Sequence, residues 1–307
     1  MTASTRFRFA SILLILGIGV GLSTAGLLFV GCGEKNHEIP PLDVIQAPTN
    51  LTSVNGNERV TLTWDASDNE SSTNFKQYNI YRGEVSLIGV DPTQLDQLGH
   101  KIGSVPQGTT TLEVPVTNGT LYFFHVRAEP KEGSLTDRTN EVQAAGREEG
   151  VGVVIDEFIS TAGASGFDFS TGLPVSLRTS NPNRFVADIY LGTTDTTNQD
   201  KPGGNLAIKS PELIALHTNA DPQWGNLQPT SIKTMATTDW NVDTVTNIGQ
   251  NDQVAVATDN FSTIYAFKTR DGNYAKIKID AADLLQAGSR TITFRYAYQT
   301  TPNLDQF

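Results

Sequence analysis

Cysteine is almost absent from this chain: Cys32 is the only one in 307 residues. That excludes an internal disulfide framework and any cysteine-based metal site. Histidine is nearly as scarce, with four residues, and one of the two methionines is the start residue. Imidazole and soft donors for a transition metal are therefore few. Positive charge is also short, with 22 lysines and arginines against 33 acidic residues and a formal net charge of −11. Nucleic-acid binding requires the opposite balance over the phosphates and is not expected. An acidic surface favours solubility and non-adhesion to anionic surfaces. No Gly-rich phosphate loop, zinc motif or nucleophile elbow occurs. No catalytic residues emerge, and a binding or scaffold protein is expected in place of an enzyme.

What the chain does have starts at its N-terminus. Arg6 and Arg8 precede an almost unbroken apolar run, Ala10–Val30, and the sequence turns polar at Gly33-Glu34-Lys35-Asn36. Phe29-Val30-Gly31-Cys32 resembles the lipobox cut by lipoprotein signal peptidase, with small Gly31 before the cysteine and Phe29 departing from the usual leucine. The resemblance implies a signal peptide over residues 1–31 and lipidation of Cys32, which supplies the two or more acyl signals that stable anchoring takes. The alternative is an uncleaved N-terminal membrane helix, because the apolar stretch is long enough to span a bilayer. Gly33 stands where an aspartate would retain a lipoprotein in the inner membrane of many diderm bacteria, so the outer membrane is the favoured destination. The leader holds two arginines and no acid, so the exported part carries 20 basic and 33 acidic residues, a formal charge of −13.

About 270 exported residues predict two domains, each stabilised by its own core. Residues 32–47, with Pro40-Pro41 among polar neighbours, read as an extended tether. From Pro48 to Gly146 short alternating strands and turn dipeptides predict a β-sandwich. Val60, Leu62 and Trp64 alternate with threonines, and Tyr122, Phe124, Val126 and Ala128 alternate with Phe123, His125 and Arg127. Turns are expected at Asn55-Gly56, Asn118-Gly119 and Glu132-Gly133. Residues 147–152, charged and bounded by glycines, read as a hinge.

Several motifs of this first half resemble the fibronectin type III domain. They are Ala47-Pro48-Thr49-Asn50-Leu51, the strand ending in Trp64, Tyr78-Asn79-Ile80-Tyr81-Arg82, Asn118-Gly119-Thr120-Leu121-Tyr122 leading into Val126-Arg127-Ala128, and Thr139-Asn140-Glu141-Val142. The resemblance implies a seven-stranded sandwich over residues 48–146, Trp64 in its core and Tyr122 near a strand corner that Ig-like sandwiches often fasten with a tyrosine hydroxyl. It implies a spacer or protein-binding module and little chemistry.

Residues 153–307 stay β-like but less regular. Phe185–Leu191 reads as a mostly buried strand containing Asp188. Thr263–Thr269 and Tyr274–Ile279 flank Asp271-Gly272 as a hairpin, with Ala275, Ile277 and Ile279 on one side and Lys276 and Lys278 on the other. Asp280–Gln286 reads as a short helix ended at Gly288, and Thr291–Gln299 as a final strand. Polar stretches at 193–204 and 237–253 read as loops. Gly166-Phe167-Asp168-Phe169-Ser170-Thr171-Gly172, Lys268–Ile277 and Thr293–Gln299 resemble the HmuY-like family of haem-binding surface lipoproteins. The whole is thus expected to be all-β, a fibronectin type III sandwich followed by a second, HmuY-like β domain.

The second resemblance implies haem held by two axial side chains, histidines or methionines. Here only His217 lies in the second half, and a mixed pair with Met235 is the one soft-donor pair available. The alternative makes His217 a loop histidine and Met235 a core gap-filler. Two acid-rich loops, Asp195–Asp200 and Asp65–Asn74, lack EF-hand spacing, and no metal site is assigned. Asp188 reads either as a carboxylate with a raised pKa near chemistry or as a hydrogen-bonded structural residue. Trp224 and Trp240 in loop-like sequence read either as binding platforms or as tryptophans tucked against their own domain. The expectation is a lipid-anchored cell-envelope binding or scaffold protein whose distal domain faces a ligand or partner. A haem or porphyrin carrier, a protein- or glycan-binding adhesin and a ligandless envelope component are the alternatives.

Overall fold

A computed structural model describes residues 43–307 apart from 159, 161–162, 195–199, 201–202, 242–243, 246 and 258–260. The leader, Cys32 and most of the tether lie outside the described residues. Among those described, no helix is long and apolar enough to cross a membrane.

The architecture is all-β. The first half forms β1 (Thr49–Gly56), β2 (Arg59–Asp65), β3 (Phe75–Gly83), β4 (Lys101–Val105), β5 (Thr111–Pro115), β6 (Leu121–Pro130) and β7 (Val142–Ala145). They make two antiparallel sheets, ordered β1-β2-β5 and β4-β3-β6-β7. Alternation on β2 works as expected: Val60, Leu62 and Trp64 are buried while Thr63 faces out, because successive side chains of a strand point to opposite faces. Trp64 meets Tyr78 edge-on at 5.7 Å, and Phe75 meets Tyr78 at 4.9 Å. Such pairs add about 0.5–1.5 kcal/mol each beyond their burial. The tyrosine hydroxyl that fastens a loop here is that of Tyr78, which accepts from Ser67 N at 2.9 Å. Tyr122 instead lies with its ring under the Arg82 guanidinium. His125 and Arg127, on the polar phase of β6, are buried as well. His125 packs at a tilt against Tyr81, their rings 5.1 Å apart, and Arg127 donates to Thr136 O at 2.7 Å in the segment that folds over them.

The second half forms β8 (Glu148–Asp156), β9 (Gly166–Asp168), β10 (Leu173–Val175), β11 (Ile189–Thr193), β12 (Leu206–Lys209), β13 (Ser231–Thr234), β14 (Gln253–Ala255), β15 (Ile264–Lys268), β16 (Tyr274–Asp283) and β17 (Thr291–Tyr298). Two five-stranded antiparallel sheets result, β10-β9-β11-β12-β14 and β13-β15-β16-β17-β8. Phe167, Phe169, Phe267, Phe294 and Tyr296 fill the core with edge-on and tilted contacts at 5.1–5.3 Å. The Asp271-Gly272 hairpin forms, with Gly272 at φ +85°. The helix expected over 280–286 does not: β16 continues to Asp283, pairing Ala281–Asp283 with Thr291–Thr293 after a bulge. A single helical turn is marginal by itself, whereas pairing with β17 gives these residues ladder hydrogen bonds. The strand expected over 185–191 begins only at Ile189, after a 3₁₀ turn at Arg184–Val186.

Only Gly146 and Arg147 separate β7 from β8, so the residues expected as a hinge are mostly strand. Arg147 N donates to Gly56 O at 3.1 Å, and its buried guanidinium donates through Nε to Glu149 at 2.7 Å. Gly119 N donates to Gly146 O, while Gly119 O accepts from Thr301 Oγ1 at 2.7 Å. Gly119 has φ +76°, and a Cβ there would lie 2.3 Å from Thr300 Oγ1. Both its conformation and its neighbours demand glycine. Leu42–Phe307 accordingly forms one compact unit.

The end of the tether is also fixed. Asn69 Oδ1 accepts from Gln46 N, Asn74 Nδ2 donates to Asp43 O, Ser72 Oγ donates to Asp43, and Ile45 is buried. The polar loop 65–74 thus spends its amides on residues 43–46.

Candidate functional site

A carboxylate removed from water demands partners, and Asp200 has four. Oδ1 accepts from Lys209 Nζ and Thr193 N, both at 2.7 Å, and Oδ2 from Tyr190 Oη at 3.0 Å and His217 Nε2 at 2.9 Å. Strands β11 and β12 present Tyr190, Thr193 and Lys209, and the 3₁₀ turn Pro211–Leu216 delivers His217. Asp200 and Lys209 are fully buried. Burial pushes the Asp200 carboxyl up, but hydrogen bonds from His217, Lys209 and Thr193 outweigh it and hold the group below the usual carboxylate range. Burial, with the Asp200 charge adding, drives the Tyr190 phenol well above its ordinary value. This closed network pins Asp200 to the sheet.

His217 and Met235, paired in the sequence reading as axial donors, have separate partners. His217 Nε2 is engaged by Asp200, and its ring packs edge-on against Phe158 at 5.1 Å. Met235 packs in the cluster of Val245, Ala266, Ala297 and Phe307. Among the described residues no group of three or more His, Cys, Asp or Glu is arranged to hold a metal ion. Most of the acidic loop 195–200 lies outside the described residues.

Asp188 is 5% exposed and accepts from Phe169 N at 2.9 Å. Burial pushes its carboxyl up to about 7; the Phe169 N–H and Arg270 oppose this, and Asp168 and Asp271 add to it. Arg270 itself donates to Phe185 O and Val186 O, at 2.7 and 2.6 Å. Asp188 is thus held as the hydrogen-bonded structural residue of the second reading, with its pKa raised by burial.

Neither loop tryptophan stands free as a platform. Trp224 is buried against Phe185 at 4.6 Å. Trp240 is half-buried, its ring 4.9 Å from Lys276 Nζ and its carbonyl accepting from that amine at 2.6 Å. Lys276, on the outer phase of β16, is fully buried between Trp240 and Phe307.

Sequence reasoning missed a concave site where the two sandwiches meet. A solvent-open groove of about 210 Å³ is lined by Asn55, Arg59 and Thr61 of the β1–β2 hairpin, Glu113 of β5, Glu149 of β8 and Trp240. The sequence signals were Trp240 itself and Asn55-Gly56, the latter read only as a turn. Residues from four separate stretches meet there, and no local pattern announces that.

No family model matches the chain. It is similar to the amylopullulanase of Thermoanaerobacterium saccharolyticum, 31% identical over 99 residues, which is 32% of this chain and 7% of that protein. It is also similar to the amylopullulanase of Thermoanaerobacter thermohydrosulfuricus, 34% identical over 127 residues, 41% of this chain and 7% of that protein. The chain thus spans only a small part of either relative. Among solved structures, the β-1,2-glucanase from Parabacteroides distasonis gives a TM-score of 0.26 at 16% identity over 35% of this chain and 13% of that one. The Clostridium perfringens spore cortex lytic enzyme SleM gives 0.24 at 14% identity over 33% and 28%.

Proposed function

We propose that this protein is a lipid-anchored component of the bacterial cell envelope that holds a rigid pair of β-sandwiches off the membrane as a binding scaffold. The observation that carries the reading is the splice between the halves. Two residues link β7 to β8, Arg147 is buried against Glu149, and Gly119 is bonded to both Gly146 and Thr301. A fixed splice transmits position from an N-terminal anchor to the far sandwich, which a loose linker does not. The fibronectin type III reading of residues 48–146 is supported by seven strands in sheets of three and four with Trp64 in the core. The small share of the amylopullulanases that matches suits a module carried within larger proteins. The haem-carrier alternative has less support, since His217 Nε2 is already bonded to Asp200.

The anchoring part is tested by labelling cells with a clickable palmitate analogue. The wild-type chain takes up label and fractionates with the outer membrane, while Cys32→Ser does neither. Equal labelling and fractionation of both would replace lipidation with the membrane-helix alternative.

A further inference from the structure

We propose that residues 299–307 form a releasable latch that sets the rigidity of the splice, with the Phe307 ring as its fastening. The inference rests on the rigid-scaffold reading and deepens it. After β17 the chain touches the splice twice. Thr301 Oγ1 donates to Gly119 O at 2.7 Å, in the turn between β5 and β6. The Phe307 ring then lies 5.8 Å from the guanidinium of Arg147, whose backbone N–H donates to Gly56 O. Between those contacts the segment stays on the second sandwich. Asn303 N donates to Gly272 O at 2.9 Å, and Asp305 O accepts from Val245 N at 3.0 Å.

Phe307 is fully buried, in a cluster with Val245, Ala266 and Ala297 on the outer face of the second sheet. Its ring also lies 5.0 Å from Lys276 Nζ, so two buried cations contact one aromatic side chain. A cation within about 6 Å of a ring is attracted to it, and more strongly once desolvated. Arg147 belongs to the connection between β7 and β8, and Lys276 to β16. The ring therefore ties the splice to the sheet. The rest of the segment is held more lightly: Thr300, Thr301, Pro302 and Asn303 are exposed and fastened by surface hydrogen bonds. Segments with few buried apolar contacts open at lower free energy than the core strands they lie on. Withdrawing Phe307 releases the segment and both of its contacts with the splice, while the aromatic core between the two sheets stays closed.

The test is native-state hydrogen exchange, read by mass spectrometry with single-residue fragmentation, on the full-length protein in detergent. In the wild type the amides of Gly119, Arg147, Val245 and Asn303 exchange at one shared rate, faster than those of β11 and β12 on the other sheet. Phe307→Ala speeds all four by about tenfold or more, because it deletes a fully buried aromatic ring, and leaves β11 and β12 unchanged. Should that variant not fold, Phe307→Leu fills the same space without an aromatic face for the cations and speeds the four amides by less. Gly119 and Arg147 amides that stay protected while Asn303 and Val245 exchange faster would overturn the latch and leave the rigid scaffold standing. Wild-type Gly119 and Arg147 amides that exchange at the unprotected rate would overturn both. Exchange of the four only together with β11 and β12 would make Phe307 an ordinary core residue, and the latch would fail.

Discussion

Lys209 Nζ lies 2.7 Å from Asp200 Oδ1, and neither side chain is more than 1% exposed. Desolvating two charges is costly, and removing one partner leaves the other buried and uncompensated. Asp200→Asn should therefore destabilise the protein by about 3–5 kcal/mol, read from urea denaturation. Adding Lys209→Met should recover much of the loss, because the orphaned charge goes with it. A double variant no better than the single would place the cost in the Tyr190 and His217 bonds.

Asp188 gives the protein a pH dependence of definite sign. Its carboxyl is pushed up to about 7 in the folded state, against about 3.9 in an unfolded chain. Between these values the folded state holds more protons, so stability falls as pH rises from about 4 to about 7 and stays lowered above that. Asp188→Asn keeps a carbonyl oxygen for Phe169 N and removes the titration. The stability of the variant relative to wild type should rise across that window and level off beyond it. Denaturation midpoints measured from pH 4 to 8 check this, and a constant difference would refute it.

His125 works in the opposite direction. Burial, with Arg127, Arg138 and His100 adding, lowers its pKa to about 3. The unfolded imidazole takes up a proton near pH 6.5, so this contribution to stability is present above that pH and is lost as pH falls toward 3. His125→Phe keeps a ring on Tyr81 and should reduce acid sensitivity between pH 6 and 3, followed by circular dichroism.

Gly119 tests the splice. A side chain there meets Thr300 Oγ1 at 2.3 Å and needs φ +76°. Gly119→Val should loosen the two sandwiches while leaving each core intact, seen as an increased maximum dimension in small-angle X-ray scattering. An unchanged profile would mean the remaining contacts fix the geometry without it.

Trp64→Ala removes a large aromatic that is 2% exposed and should cost about 3–5 kcal/mol in calorimetry of the intact chain. If the splice couples the halves, both sandwiches should melt together at the lower temperature. A separate, unshifted transition for residues 153–307 would show that they unfold independently.

Sequence by itself determined the all-β class, the alternation of Val60, Leu62 and Trp64, and the Asp271-Gly272 turn. These are local: period-2 burial and the φ requirement of a turn are written within a few residues. Where pattern misled, long-range packing was the cause. Lys276 and His125 sit on polar phases of their strands, yet Trp240 with Phe307, and Tyr81 with the 131–139 segment, cover them. Residues 280–283 have the composition of a helix start, but pairing with β17 gives them ladder hydrogen bonds. The charged, glycine-flanked residues 147–152 carry the composition of a linker, and only the folded chain shows Arg147 buried and β8 paired along β17. The same holds for Asn55. Its neighbours in sequence mark a turn, and only the tertiary structure brings its hairpin to the groove that Trp240, nearly two hundred residues away, also lines.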